Sequence, residues 1–294
     1  MSNTVNVYLQ DVLHSYHRKR LPKNQLAQYN NVRAEVMRFL QQAYPLNSMR
    51  AGEPFPSGSY TKRTDINVKF DLDLAVPFRY GFKKGAQGMK ADVFNTLKKQ
   101  FSSSKTKVFN GRVAVHLEFI RGVHTIEVDV VPGMEKKLNS YSDSDKNEEH
   151  KFLILFDRVR SEEVITNIHR QNRIVQQEFG SFRPALLLLK VWKYQTKTKV
   201  NAYALEMMVY EALKKKKISG KKSPQKVLCH VLEYMIPRLQ NNCSLTDCGA
   251  GIEWKDFMKE GAKHSLAGRL SKVYEALQDE DLAVIRASFP INNV

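Results

Sequence analysis

The chain has 294 residues, enough to bury a sizeable core as one large domain or two lobes. Its 47 basic against 30 acidic residues leave a net charge of +17, which points to an anionic partner without saying which anion. Apolar (42%) and charged (26%) fractions are those of an ordinary globular protein and exclude a disordered or collagen-like chain.

No apolar run approaches the ~20 residues of a membrane helix; the longest, Ala185 to Leu189, is far too short. Met1 to Tyr8 lack the basic and apolar regions of a secretory signal, which predicts a cytosolic protein with no membrane partner. Cys229, Cys243 and Cys248 are an odd number, against a disulfide framework. With His230 they would make four zinc ligands, but no Cys-x-x-Cys pair exists, so they read as reduced thiols.

Basic residues concentrate at His17-Arg18-Lys19-Arg20, Lys83-Lys84, Lys98-Lys99, and Lys214 to Lys217 with Lys221-Lys222. The last cluster contains Ser219-Gly220 and reads as a solvated loop. RNA or another polyanion is the partner this surface would suit.

In chain order, Leu26, Val32, Val36, Phe39 and Leu40 give Gln25 to Tyr44 the period of an amphipathic helix, ended by Pro45. A Gly-, Pro- and Ser-rich loop follows from Gly52 to Ser59. Asn67 to Val76 alternates as a strand, Ala91 to Phe101 reads as a helix, and Arg112 to Ile120 and Val123 to Val131 read as two strands turned by Arg121-Gly122. Glu135 to Lys151, with Ser-Asp-Ser-Asp at its centre, reads as an exposed loop. Beyond Ser161 the chain predicts helices over Ser161–Phe179, Arg183–Thr196, Ala202–Lys215, Pro224–Leu239 and Trp254–Leu277, the first opened by a Ser161 cap and the acidic turn Glu162-Glu163. Strands early and helices late predict an α+β protein of two lobes, residues 1–160 with the sheet and 161–294 helical, with a ligand cleft where lobes meet.

The informative stretch runs from Gly58-Ser59 to Asp71-Leu72-Asp73-Leu74. Residues two apart on a strand share a face, so Asp71 and Asp73 point one way while Leu72 and Leu74 point to the core. Glu127 and Asp129 repeat the pattern against Ile126, Val128 and Val130. Neighbouring strands would bring three or four carboxylates together, and such a group repels itself unless a divalent cation joins it. Gly58-Ser59 offers the close backbone approach and hydroxyl that a phosphate-cradling turn needs. Taken alone, an Asp-x-Asp strand reads as an ordinary solvent face; the combination with Gly58-Ser59 and the later strand ending at Pro132-Gly133 is what carries weight.

That combination resembles the polymerase-beta-like nucleotidyltransferase superfamily. Leu186 to Lys193 followed by Asn201 to Val209 is similar to the paired helices of oligoadenylate synthetases and of the cyclic GMP-AMP synthase/DncV-like nucleotidyltransferases (CD-NTases). A bacterial CD-NTase of an anti-phage signalling system is the nearest fit, over roughly Gly52 to Val209.

The resemblance implies a two-lobed polymerase-beta-like fold and synthesis of a cyclic oligonucleotide from NTPs, ATP among them, with release of pyrophosphate. It implies two Mg²⁺ ions, with Mn²⁺ as substitute, and partner proteins of a defence system. Asp71 and Asp73 would bind both metals, and Asp129 the one activating the acceptor hydroxyl. Gly58 and Ser59 would contact the donor phosphates, Lys190 the triphosphate tail, and Tyr203 would stack on the donor base. Glu127 has no implied role. Two departures bear on donor selectivity: Ala202 stands where many relatives have Ser, and Asp247-Cys248-Gly249 lacks the Pro of an Asp-Pro step. Alternatives are a linear-chain oligoadenylate-synthetase-like or RNA-tailing enzyme, a toxin-like transferase, and an inactive nucleic-acid-binding protein of the same fold.

Overall fold

The computed structural model describes residues 3–17, 19, 21–68, 70–122, 124–142, 148–215, 222–255 and 257–292. Arg18 and Arg20 of the first basic cluster, the centre of the Ser-Asp-Ser-Asp loop and most of the Lys214–Lys222 run lie outside the described residues. The described elements are, in order, α1 (Asn3–Ser15), α2 (Lys23–Ala43), β1 (Phe55–Ser57), α3 (Gly58–Lys62), β2 (Asp71–Phe78), α4 (Ala86–Phe101), β3 (Thr106–Asn110), β4 (Val115–Arg121) and β5 (His124–Glu135). They continue with β6 (Leu153–Asp157), β7 (Glu162–Thr166), α5 (Ile168–Gln177), α6 (Arg183–Gln195), α7 (Ala202–Lys215), α8 (Pro224–Gln240), β8 (Leu245–Thr246), β9 (Glu253–Trp254), α9 (Glu260–Gln278) and α10 (Leu282–Ser288). The class is α+β, as the early strands and late helices predict.

The chain forms two compact units, and they are not separated by a single cut. One comprises Leu21–Arg63 and Lys69–Val175; the other comprises Met1–Arg20, Thr64–Val68 and Gln176–Val294.

The first unit is built on a sheet ordered β1-β2-β5-β4-β3, with β6 pairing β5 and β7 pairing β6. β2 and β5 run parallel, and the other pairs are antiparallel. One face of the sheet is apolar. Leu72, Leu74, Val76, Leu117, Phe119, Ile126, Val128 and Val130 pack with Val32, Val36 and Leu40 of α2 and Met89, Val93 and Leu97 of α4. The periods of 2 and 3.6 thus meet in one core, which is why these stretches hold as strands and helices. The burial of area on this face is the unit's main stabilising term.

Several boundaries differ from the sequence expectation. The strand expected from Asn67 starts only at Asp71, because Asn67 bonds elsewhere: its N–H donates to Tyr16 O at 3.0 Å and its Nδ2 to Ser15 O at 3.0 Å, at the end of α1. β5 does not stop at Pro132-Gly133. Pro132 falls past the last β4 partner (Val115 opposite Val130) and before the first β6 partner (Ile154 opposite Met134), where a missing N–H costs no ladder bond on that edge. The expected helix Ser161–Phe179 is corrected most. Glu162–Thr166 pairs with β6 as a hairpin, Ser161 takes φ +57°, and the helix begins at Ile168. The β-branched run Val164-Ile165-Thr166 and the available edge of β6 outweigh the cap-like Ser161-Glu162-Glu163. The helix expected from Trp254 likewise begins at Glu260, since Glu253-Trp254 pairs with Leu245-Thr246.

β1 is braced from below: Phe55 stacks on His169 with ring centres 4.0 Å apart, and Tyr141 Oη lies 2.7 Å from His169 Nε2. Burial, with Lys151 nearby, drives the His169 pKa down to about 4, so the ring is neutral and its Nε2 accepts from the tyrosine.

The second unit is helical. α8 packs on α9, α6 and α7, and α1 joins α6 and α8. Ser223 caps α8 and Asp281 caps α10 through their side-chain oxygens. Cys229, Cys243 and Cys248 are free thiols, two of them buried. No described helix is long and apolar enough to cross a membrane.

Candidate active site

The face of the sheet opposite α2 and α4 carries the polar residues. On β2, Asp71 and Asp73 are half-buried while Leu72 and Leu74 are buried. On β5, Glu127 and Asp129 alternate in the same way with Ile126, Val128 and Val130. The parallel register sets Asp73 opposite Asp129 and Asp71 opposite Glu127. Adjacent strands lie about 4.8 Å apart, so these carboxylates project from neighbouring positions on one face.

The register extends the pattern across the sheet. Ser57, Asp73, Asp129, His116 and Phe109 form one row, strand by strand. Asp71, Glu127, Glu118 and Lys107 form the next row, on the same face. Like charges directly opposite each other destabilise a sheet. A face with Asp71, Glu127 and Glu118 in one row and Asp73 and Asp129 in the next sets like charges opposite one another, which a bound cation would relieve.

Gly58 shows how closely the turn before α3 approaches this face. Its φ is +67°, and a Cβ on it would stand 1.7 Å from Oδ2 of Asp73. Only glycine satisfies both the left-handed backbone and the contact. Ser59 follows in the first turn of α3 and is half-buried. Gly58 and Ser59 thus sit beside Asp73, joined through the pairing of Ser57 with Asp73.

Asp129 is held from the other side. His116 Nδ1 lies 2.8 Å from Asp129 Oδ1, and His116 Nε2 lies 3.4 Å from Glu118 Oε1. Burial works against protonating this ring, but the hydrogen bond and charge of Asp129, with Glu127 and Glu118, outweigh it and raise the His116 pKa above the ordinary imidazole value. The raised pKa registers the negative charge of Asp129, Glu127 and Glu118 around the ring. Sequence reasoning missed His116 and Glu118, although both occupy the polar positions of the alternating run Val115-His116-Leu117-Glu118-Phe119.

The donor set suits a hard divalent cation such as Mg²⁺, since carboxylate oxygens on one face are what it binds. As the side chains stand, no three Asp, Glu, His or Cys among the described residues surround a single point closely enough to hold an ion. Asp73 lies against Gly58, and Asp129 Oδ1 lies 2.8 Å from His116 Nδ1. Rotation about its side-chain bonds moves a carboxylate by several ångströms while the paired strands keep its backbone in place. The residues fit the metal in type and backbone placement.

Lys190 and Tyr203 belong to the helical unit, and each has partners there. Lys190 is buried, its Nζ donating to Thr64 O at 2.8 Å and Thr64 Oγ1 at 2.9 Å. Tyr203 donates its hydroxyl to Asp247, and its ring centre lies 6.0 Å from that of Trp254. Burial first, and then the Asp247 carboxylate, raise the Tyr203 pKa well above the usual phenol value.

No family model matches the chain, and no curated protein matches it in sequence. Solved structures do match it in fold. The CD-NTase CdnG of Bradyrhizobium diazoefficiens, solved with GTP, is 13% identical at a TM-score of 0.74, covering 98% of this chain and 95% of its own. CdnC of E. coli, solved with ATP, is 13% identical at 0.71, covering 95% and 96%. The CdnE cyclic dinucleotide synthase of Elizabethkingia meningoseptica, solved with GTP and Apcpp, is 15% identical at 0.61, covering 87% and 99%. Over nearly its whole length the chain has the polymerase-beta-like fold of the CD-NTases.

Proposed function

We propose that this protein is a Mg²⁺-dependent nucleotidyltransferase that condenses NTPs into a cyclic oligonucleotide second messenger and releases pyrophosphate. The observation that carries the reading is the register of β2 on β5, which pairs Asp73 with Asp129 on the polar face beside Gly58-Ser59. Mg²⁺, with Mn²⁺ as substitute, supplies charge neutralisation and activation of the acceptor hydroxyl when bound. Asp71 and Asp73 would hold the ions, and Asp129 would help hold the one that activates the acceptor hydroxyl. Asp129 also takes the hydroxyl proton as the new O–P bond forms at the α-phosphorus and the bond to pyrophosphate breaks. Ser59 and the backbone at Gly58 orient the departing phosphates. A second condensation of the same kind closes the ring.

Lys190 at the triphosphate tail and Tyr203 at the donor base rest on the family resemblance alone, because each has a hydrogen-bond partner within its own unit. An anti-phage setting, a cytosolic location, an accessory defence protein and RNA at the basic surface belong to the same reading. The matched structures solved with GTP, ATP and Apcpp support nucleoside triphosphates as the substrate class.

The test is incubation with each radiolabelled NTP, singly and mixed, in Mg²⁺, followed by phosphatase treatment and linkage-specific nuclease digestion. A phosphatase-resistant product that vanishes in Asp71→Asn/Asp73→Asn is the expected result. Products with free ends would favour the linear-chain alternative, and full activity in the double variant would refute the assignment.

A further inference from the structure

We propose that His116 is a positioning residue for the acceptor-side carboxylate, fixing Asp129 so that one oxygen stays turned to the metal. The inference rests on the nucleotidyltransferase reading above and concerns a residue that reading does not use. Three observations lead to it.

The first is placement. His116 is the register partner of Asp129 on β4, so the two side chains stand side by side as long as the β4–β5 register holds. The second is the contact itself. A carboxylate only accepts, so the 2.8 Å contact between His116 Nδ1 and Asp129 Oδ1 fixes the proton on Nδ1. One oxygen of Asp129 is thereby occupied and the other is left for a cation. The third is the backing. Glu118 Oε1, 3.4 Å from Nε2, holds the ring from its far side, and Glu118 is itself opposite Glu127 in the second acidic row. The ring lies between two carboxylates of one face.

A purely structural histidine would be expected on the core side of this strand. Val115, Leu117 and Phe119 occupy that side, and His116 sits on the other, with a quarter of its side chain exposed. Its loss removes little apolar burial. What it removes is the restraint on Asp129, and partners that orient a metal-binding carboxylate in this way typically change metal affinity or activity by about 10–100-fold.

The experiment is Mn²⁺ uptake by the intact protein, read as loss of the free-ion electron paramagnetic resonance signal, with a non-hydrolysable ATP analogue present. Wild type is compared with His116→Ala, His116→Asn and Asp73→Asn, and each variant's melting temperature is recorded. The inference expects His116→Ala to bind Mn²⁺ about 10–100-fold more weakly with little change in melting temperature. His116→Asn, whose amide N–H stands where Nδ1–H does, recovers most of that loss. Unchanged Mn²⁺ affinity in His116→Ala, with Asp73→Asn still impaired, would overturn the inference and leave the active-site reading intact. Equal loss in the Ala and Asn variants, accompanied by a fall in melting temperature, would overturn it in favour of a structural role. Wild type and Asp73→Asn binding alike would overturn the active-site reading as well.

Discussion

The polar face of the sheet and the polar pairs of the helical unit handle charge in opposite ways. On the sheet, Asp71, Asp73, Glu118, Glu127 and Asp129 are gathered by register onto one half-buried face, where they repel one another. In the helical unit, buried Lys190 is matched to buried Thr64, and half-buried Tyr203 to Asp247. A carboxylate cluster gathered on one face is an arrangement that a bound cation would stabilise. A buried donor with a short bond to a distant carbonyl is spent on holding the chain together. The difference separates residues whose loss should cost activity from those whose loss should first cost stability.

The largest effect expected is in Asp71→Asn/Asp73→Asn. Product formation falls to background while the melting temperature stays level or rises, because two of the mutually repelling charges are gone; a fall of several degrees would make the aspartates structural instead.

Burial, rather than membership of one unit, should decide the other outcome, and His169 tests this inside the sheet unit. Its pKa is about 4 when folded against 6.5 ordinarily, so the unfolded chain binds its proton first as pH falls. This contribution to stability is therefore fully present above pH 6.5 and is lost as pH falls through that value towards 4, by roughly 3 kcal/mol. Urea denaturation of His169→Phe across this window should show a flatter pH dependence than wild type; an unchanged slope would reject the assignment.

Next in size is Lys190→Met, which leaves the Thr64 carbonyl and hydroxyl without that donor and should cost about 1–3 kcal/mol. Chemical denaturation reads it directly, and a variant as stable as wild type but weaker for NTP would move Lys190 to the phosphate role. Gly58→Ala should cost about 1–2 kcal/mol for the left-handed backbone alone. It should also abolish activity, since the added Cβ displaces the Asp73 carboxylate; an active Gly58→Ala would show that the turn is not part of the site. Tyr203→Phe is expected to be the mildest, about 1 kcal/mol for one hydrogen bond, with the pyrophosphate-release rate little changed if base stacking is all the ring supplies.

The same contrast explains what could be read from the sequence. Alternation on β2 and β5 exposed Asp71, Asp73 and Asp129 because a strand's period places them without reference to anything distant. His116 and Glu118 were equally in phase on β4, but their importance depends on which strand is neighbour to β5, and register between strands is not written in either alone. Lys190 and Thr64 are 126 positions apart, so no local pattern could join them. The β6–β7 hairpin was hidden for a different reason: Ser161-Glu162-Glu163 satisfies helix-start chemistry locally, and only the open edge of β6 shows that strand pairing wins. β1, three residues long and containing Pro56, carries too little alternation to stand out from its loop.

The most direct test of the central assignment is pyrophosphate release from a mixture of the four NTPs. It is followed in wild type, Asp73→Asn and Asp129→Asn, each with Mg²⁺ and again with EDTA. Release by wild type in Mg²⁺ alone, with EDTA and either substitution bringing it to background, is the predicted result. Release that persists in EDTA, or that survives both substitutions, would contradict the account.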